Sequence, residues 1–332
     1  MTTSRHRTGR WRRVAIGAAA LSLVAAACGD DDDDTGGDDT TADTEAVADT
    51  EPAADTAAPA DTEAMDDGGS AEATGLLAEL QDAGTVTVGL ANEIPYGYET
   101  EDGQIEGEAP DVARAVLANL GVDEIEAEVV DFGALIPGLQ AGQYDMIAAG
   151  MYITPERAEQ IIFSDPDYCT SYAFAVAEGN PMGIGGGFDS IVDSGATLAV
   201  LSGAVDEEYA ADAQVPESQI ELFSDVNAQY DALLAGRVDA VGGTALTVNN
   251  QTDANDGIEA TEAFIPLDEN GEEVYGCGGF GFVDQDFRDA FNAELRTLIE
   301  DGTVEEIVTS YGFAPEDVQT AAGLTVEDLA GG

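Results

Sequence analysis

At Leu76 the composition of this chain changes abruptly, and the change decides where a fold can form. From Gly29 to Gly75 the sequence is built of Asp, Thr, Ala, Gly and Pro with almost no large apolar side chain, and Asp30 to Asp34 is an unbroken acidic run. Such a segment cannot bury enough apolar surface to offset the entropy lost on ordering, so residues 29–75 are predicted to be a disordered, self-repelling tether. Metal binding by the aspartate run is the alternative; a solvated spacer is the simpler reading. The fold must come from residues 76–332, enough for one large domain or two small lobes.

The N-terminus is organised differently. Arg5, His6, Arg7, Arg10, Arg12 and Arg13 form a cationic head, and Val14 to Ala27 form an apolar run of about 14 residues ending in small side chains. That is the pattern of an export signal. It is shorter than the roughly 20 residues a spanning helix needs. Ala25-Ala26-Ala27-Cys28 resembles a lipobox, with Ala25 where Leu is usual, so residues 1–28 are expected to be a signal with Cys28 as the lipidated residue. Ordinary cleavage is the alternative, and Arg12-Arg13 also fits twin-arginine export.

Charge excludes whole classes of partner. The chain has no lysine; beyond the signal only Arg114, Arg157, Arg237, Arg288 and Arg296 face 68 acidic residues, a net of −63. Nucleic acid and anionic lipid surfaces repel such a protein. The self-repulsion is relieved in a salty medium. The only histidine, His6, leaves with the signal, so the mature chain has no imidazole for a triad or a metal site. No metal and no cofactor is expected.

From Leu76 onward strand and helix patterns alternate. Thr85 to Leu90 reads as a strand, Glu101-Asp102-Gly103 as a hairpin turn, and Pro110 to Leu120 as a helix closed by Gly121. Glu126 to Asp131, Tyr144 to Gly150, Thr197 to Leu201 and Val238 to Gly242 read as strands. Ala134 to Ala141, Asp206 to Ala213 and Ala228 to Ala235 read as helices, and Phe287 to Glu300 and Val304 to Tyr311 as amphipathic ones. This order predicts an α/β fold with parallel sheet. In Thr154-Pro155-Glu156-Arg157, Thr154 reads as a helix N-cap and Pro155 as the first helical residue. Gly183 to Gly187 superficially resembles a phosphate loop, but no clear strand precedes it, and a flexible connection is the better reading. In Asp253 to Gly257 the glycine falls one place early for a calcium loop.

Five blocks occur together and in order: Leu80 to Gly89, Asp145 to Met151, Thr154 to Arg157, Phe163-Ser164-Asp165-Pro166, and Phe287 to Phe313. They resemble the bacterial amino-acid-type extracellular solute-binding proteins of ABC importers, over essentially all of residues 76–315. The resemblance implies a two-lobed, type II periplasmic-binding-protein-like fold. Each lobe would be a sheet flanked by helices, with ligand in the cleft between them. Lobe 1 would be residues 76–170 plus 279–332 and lobe 2 residues 171–278. It further implies a binding protein rather than an enzyme, a monomer, a permease partner, and a place on the outer face of the membrane.

Ala91 to Tyr98, Gly107 to Pro110, Phe132 to Leu139 and Tyr275 to Phe280 resemble the ectoine/hydroxyectoine-binding proteins more narrowly. Ectoine is a small zwitterion, a cyclic amidine carrying a carboxylate. By this resemblance Arg157, aided by Thr154, grips the carboxylate through a planar two-point contact. The alternative is a surface ion pair with Glu156 or Asp165. The turn Ser202-Gly203-Ala204 would offer backbone N–H groups as a second anion site, although Ala204 stands where amino-acid binders usually have Thr. Tyr96, Phe132 and Tyr152 would ring the delocalised cation, and Glu93 would supply its counter-charge. Thr244 occupies the position where amino-acid binders usually carry an Asp for the ligand ammonium, which disfavours an ordinary amino acid. Cys169 and Cys277, an even pair in an oxidising exterior, are expected to form a disulfide near the two crossovers. Two other readings remain: a binding protein for a polar or cationic amino acid, and a same-fold exported dehydratase with Glu93 as its acid or base.

Overall fold

The structure, a computed structural model, describes residues 75–268 and 270–331. The export signal, Cys28 and nearly all of the acidic tether lie outside these residues. Among the described residues no helix is long and apolar enough to cross a membrane.

The chain begins with α1 (Leu76–Ala83), β1 (Thr85–Leu90), the hairpin β2 (Tyr98–Glu99) and β3 (Ile105–Glu106), α2 (Glu108–Asn119) and β4 (Glu124–Val129). There follow α3 (Leu135–Gln140), β5 (Met146–Tyr152), the single turn α4 (Pro155–Ala158), β6 (Ile162–Phe163) and β7 (Tyr168–Thr170). After Ser171 come β8 (Tyr172–Ala177), α5 (Asp189–Ser194), β9 (Leu198–Leu201), α6 (Asp206–Asp212) and β10 (Ile220–Phe223). Then come α7 (Val226–Leu234), β11 (Ala240–Thr244), α8 (Ala245–Ala254) and β12 (Ile258–Ala260). β13 (Gly276–Phe282) leads into α9 (Gln285–Glu300), α10 (Thr303–Ser310), α11 (Pro315–Ala321) and α12 (Val326–Ala330).

The strands form two main sheets, one per lobe. The first has the order β4-β1-β5-β13-β6, with β7 also paired to β13; the second has the order β10-β9-β11-β8-β12. β1 runs parallel to β4 and β5, and β9 parallel to β10 and β11, as the strand–helix alternation requires. The expectation of parallel sheet needs correction at the other strands. β13 is antiparallel to β5, β6 and β7, and β8 is antiparallel to β11 and β12. Both β8 and β13 receive the chain from the other sheet rather than over a helix on their own. The right-handed crossover that enforces parallel pairing therefore does not act on them.

Local chemistry explains the elements that hold these sheets. β1 buries Val86, Val88 and Leu90. α9 opens at Asp284, whose side chain accepts the Phe287 N–H at 2.8 Å, and its Phe287, Phe291, Leu295 and Leu298 fall on one face. Phe291 meets Phe280 at 4.8 Å and Phe287 meets Phe282 at 5.2 Å between ring centroids, so this helix is pinned to β13. Each such buried ring contributes about 1.5–3 kcal/mol. The start of α2 is tied to the loop after β1, because Glu108 N–H donates to Pro95 O and Ala109 N–H to Tyr96 O.

Cys169 and Cys277 face each other across β7 and β13 and are joined as a disulfide. One strand leaves the first sheet immediately before Ser171 and the other returns to it, so the bond clamps both passages between the lobes. α11 and the residues beyond it cover the bond with Ala321, Leu324 and Leu329.

Two predictions follow from this core. Intact mass of the secreted protein should shift on alkylation only after reduction, and Cys169→Ser/Cys277→Ser should lose about 2–4 kcal/mol of unfolding free energy in guanidinium chloride. Two freely alkylated thiols before reduction would rule the bridge out. The second concerns Glu108 and Asp167, which are 0% and 1% exposed and face each other without a cation. Burial pushes Glu108 well above the usual carboxylate range and Asp167 to about 6. Because both folded values are raised, their stabilising contribution is complete below about pH 4 and is lost as pH rises through 6 and beyond. Glu108→Gln should therefore raise stability by about 1–3 kcal/mol at pH 8 and leave it unchanged at pH 4, read by denaturant unfolding at both pH values.

Candidate functional site

Most of the site residues sit at or just beyond the end of an element, which leaves a side chain free to turn into the space between the sheets. Arg157 lies in the turn α4 after β5. Thr154 caps that turn, its Oγ1 accepting the Arg157 N–H at 3.4 Å, and Pro155 is the first helical residue. Arg157 is 7% exposed. Its Nη1 donates to Tyr152 O at 2.7 Å and its Nη2 to Gly203 O at 3.0 Å, the latter in the opposite lobe. The Phe132 ring lies over the guanidinium with its centroid 5.4 Å from Cζ. Among the described residues no carboxylate lies within 4.0 Å of it, and the ion pair considered with Asp165 is absent. Asp165 is paired instead with Arg296 and bonded to Asn292 and Val326 N–H.

The opposite charge gathers from both lobes. Glu93, just after β1, accepts a 2.7 Å hydrogen bond from Thr247 Oγ1 on α8. Thr247 is itself held by Thr244, which caps α8 by accepting the Thr247 N–H at 3.1 Å. Burial is the main cause that pushes Glu93 to about 7; the Thr247 bond opposes the shift and Asp206 adds to it. Asp206, the first residue of α6, is 5% exposed. It accepts Tyr172 Oη at 2.7 Å and Leu201 N–H at 3.3 Å. Burial raises it to about 6 against these bonds and the attraction of Arg157. Burial also lowers Arg157 from its ordinary value; a guanidinium stays charged all the same.

These groups surround one cavity. Glu93, Tyr96, Phe132, Tyr152, Arg157, Ala204 and Thr244 line it, together with Tyr172, Asp206, Tyr230 and Thr247. The Tyr152 hydroxyl and the Tyr96 hydroxyl, beside Thr244, are buried without a well-formed hydrogen bond. Glycines make room for these rings. A Cβ at Gly150 would fall 2.3 Å from Tyr96 Cδ1, and one at Gly276 would fall 1.8 Å from Tyr152 Cε2.

The structure brings together seven of the nine residues selected from sequence. Thr154 and Gly203 are not cavity-lining; each stands behind Arg157, one as helix cap and one as carbonyl acceptor. The expected anion site in the 202–204 turn takes a different form. Gly203 N–H donates to Glu207 Oε1 at 2.8 Å and Ala204 N–H to Leu201 O at 3.1 Å, so both donors are already used. Phe132 covers the guanidinium as well as the cavity. Sequence reasoning missed Asp206, Tyr172, Tyr230 and Thr247. Asp206 had a readable signal, an acid opening a helix directly after a strand and turn.

Gly203 also packs closely against Gly133 of the other lobe. Its φ is +78°, and a Cβ there would lie 2.7 Å from Gly133 Cα. Gly203→Ala must both pay a left-handed backbone penalty of about 1–2 kcal/mol and push back Gly133. Small-angle scattering should show the variant more open than the parent, and ligand affinity should fall at least about fivefold. An unchanged radius of gyration and affinity would refute the contact.

Comparison with known proteins places this geometry. Residues 86–314 match the bacterial extracellular solute-binding proteins, family 3. A probable amino-acid ABC transporter periplasmic-binding protein of Sinorhizobium fredii is 31% identical over 257 residues, covering 76% of this chain and 85% of that one. The L-arginine-binding protein of Pseudomonas aeruginosa is 28% identical, covering 65% of this chain and 83% of the relative. Among solved structures, EhuB in complex with hydroxyectoine is 33% identical with a TM-score of 0.69, covering 77% of this chain and 97% of that one. An ancestral arginine-binding protein bound to glutamine is 27% identical with a TM-score of 0.60, covering 69% and 97%.

Proposed function

Because this chain belongs to the bacterial extracellular solute-binding proteins of family 3, and so is a substrate-binding component of an amino-acid-type ABC importer, we propose that its ligand is ectoine or hydroxyectoine. One observation carries this reading. The cavity holds a buried guanidinium with no carboxylate partner and, elsewhere on its wall, two carboxyl groups among aromatic rings. A ligand with one carboxylate and one delocalised cation answers both. Arg157 takes the carboxylate. Glu93 accepts from the amidine N–H groups, and the faces of Tyr96 and Tyr152 contribute roughly 0.5–2 kcal/mol each toward a desolvated cation. Thr244 offers a hydroxyl where a primary ammonium needs an anion. The resemblance to a protein crystallised with hydroxyectoine supports the same choice.

Closure is part of the mechanism. The Glu93–Thr247 and Arg157–Gly203 hydrogen bonds each join the two lobes, and a ligand touching Glu93 and Arg157 adds to both. We assign the lobes to residues 76–170 plus 276–331 and to residues 171–275, with the boundary moved from the expected 279 because all of β13 pairs in the first sheet. Lipidation at Cys28 and the acidic tether would hold the monomeric domain near its permease.

A second reading, a cationic amino acid, is favoured by one fact: two carboxyl groups and only one guanidinium line the cavity. Calorimetric titration with ectoine, hydroxyectoine, glycine betaine, glutamine and arginine separates the two. Ectoine or hydroxyectoine should bind tightest; tighter binding of an ordinary amino acid overturns the assignment. Arg157→Ala should cost roughly 2–5 kcal/mol, the loss for one partner of a buried charge pair, or about 30-fold to several thousand-fold in affinity. A loss under about threefold would remove Arg157 from the site.

A further inference from the structure

The charges around the cavity do not balance. Arg157 is the only cation among the lining residues, and Glu93 and Asp206 are the only carboxyl groups. A zwitterion adds no net charge, so with both acids ionised the closed site would enclose one negative charge in excess. Enclosing an uncompensated charge is costly, and a buried acid escapes the cost by binding a proton.

The surroundings of the two acids offer no other compensation. The charge of Glu93 bears on the phenols of Tyr96, Tyr152 and Tyr230, Asp206 bears on Glu93, and Thr247 donates to it. Asp206 is faced by Tyr172, Tyr209 and Tyr230, by the neighbouring acid Glu207, and by Arg157. Burial raises every one of these phenols, so all are neutral. Asp206 is also committed to its place, with Tyr172 on one oxygen and Leu201 N–H on the other. It therefore cannot swing out of the cavity to shed its charge.

We propose that Asp206 sets the charge selectivity of the site: the closed cavity takes a zwitterion together with one proton, held by Glu93 or Asp206, and takes a ligand of net charge +1 with none. This rests on reading the cavity as the solute site and adds to it a rule for which solutes fit. Opening the cleft would admit water to both acids and return them toward the ordinary carboxylate value of about 4. Closure raises their proton affinity, so the liganded state binds more protons than the free one. Affinity for a zwitterion then rises as pH falls from 8 to 6, by at most about tenfold per pH unit for one proton.

Calorimetric titration with ectoine at pH 6.5, in two buffers of different protonation enthalpy, counts the protons. The parent should take up a substantial fraction of one proton. Asp206→Asn, which keeps a hydrogen-bond acceptor for Tyr172, should take up almost none, and its ectoine affinity should be flat from pH 6 to 8. Thermal unfolding of the empty variant checks that it is folded. No uptake by the parent, or equal uptake by parent and variant, overturns the proposal. If ectoine fails to bind but L-arginine binds without proton uptake, the ectoine assignment falls and the charge rule stands. Failure of both probes to bind overturns both.

Discussion

A buried guanidinium that spends its hydrogen bonds on carbonyl oxygens, and none on a carboxylate, governs much of this structure. Arg157 has 7% of its surface exposed and reaches Tyr152 O behind it and Gly203 O across the cleft. Carbonyl groups satisfy its donors but cannot cancel its charge. The surroundings supply partial relief, with the face of Phe132 over the cation and Asp206 nearby. What remains is a local positive centre at one end of the cavity, with the carboxyl groups of Glu93 and Asp206 elsewhere on its wall. The same hydrogen bond to Gly203 makes the cation a strut between the lobes, so the residue proposed to take the ligand carboxylate also joins the two lobes.

The rest of the cavity depends on how tyrosines are seated. Tyr96, Tyr152 and Tyr172 are each accommodated because a strand beside them carries glycine where a side chain would collide. Gly150 does this for Tyr96 and Gly276 for Tyr152. Tyr96 and Tyr168 also pack against Phe313 from the connection between α10 and α11, so the wall of the site is braced from behind. Rings set this firmly lose little further entropy when a ligand arrives, a general route to affinity without extra contacts.

Acidity acts at two scales. Over the whole chain, ten arginines against 68 acids, a net of −58, disfavour anionic partners and make self-repulsion sensitive to salt. Inside the cleft, two carboxyl groups are held close enough to influence each other and the single cation. The first effect is diffuse and screened by ions. The second lies behind a closed cleft, where screening is weak and a single proton alters the balance.

Sequence alone determined where the fold lies, because a segment without large apolar residues cannot make a core, and it determined the order of most helices and strands. The cap Thr154, the first-turn Pro155 and the placement of Arg157 were legible because capping is local chemistry. The hairpin at Gly103 and the amphipathic face of α9 were legible for the same reason. Tertiary structure decided what each backbone group was free to do. The N–H groups of Gly203 and Ala204 looked available in sequence, and a side chain four residues on and a carbonyl three residues back took them. Only the fold could reverse β8 and β13, since their direction depends on a chain arriving from another lobe. Only the fold could place Asp206 and Thr247 beside Glu93, residues more than a hundred positions away. Charge balance in a cavity is a property of groups that meet in space, and spacing along the chain carries no record of it.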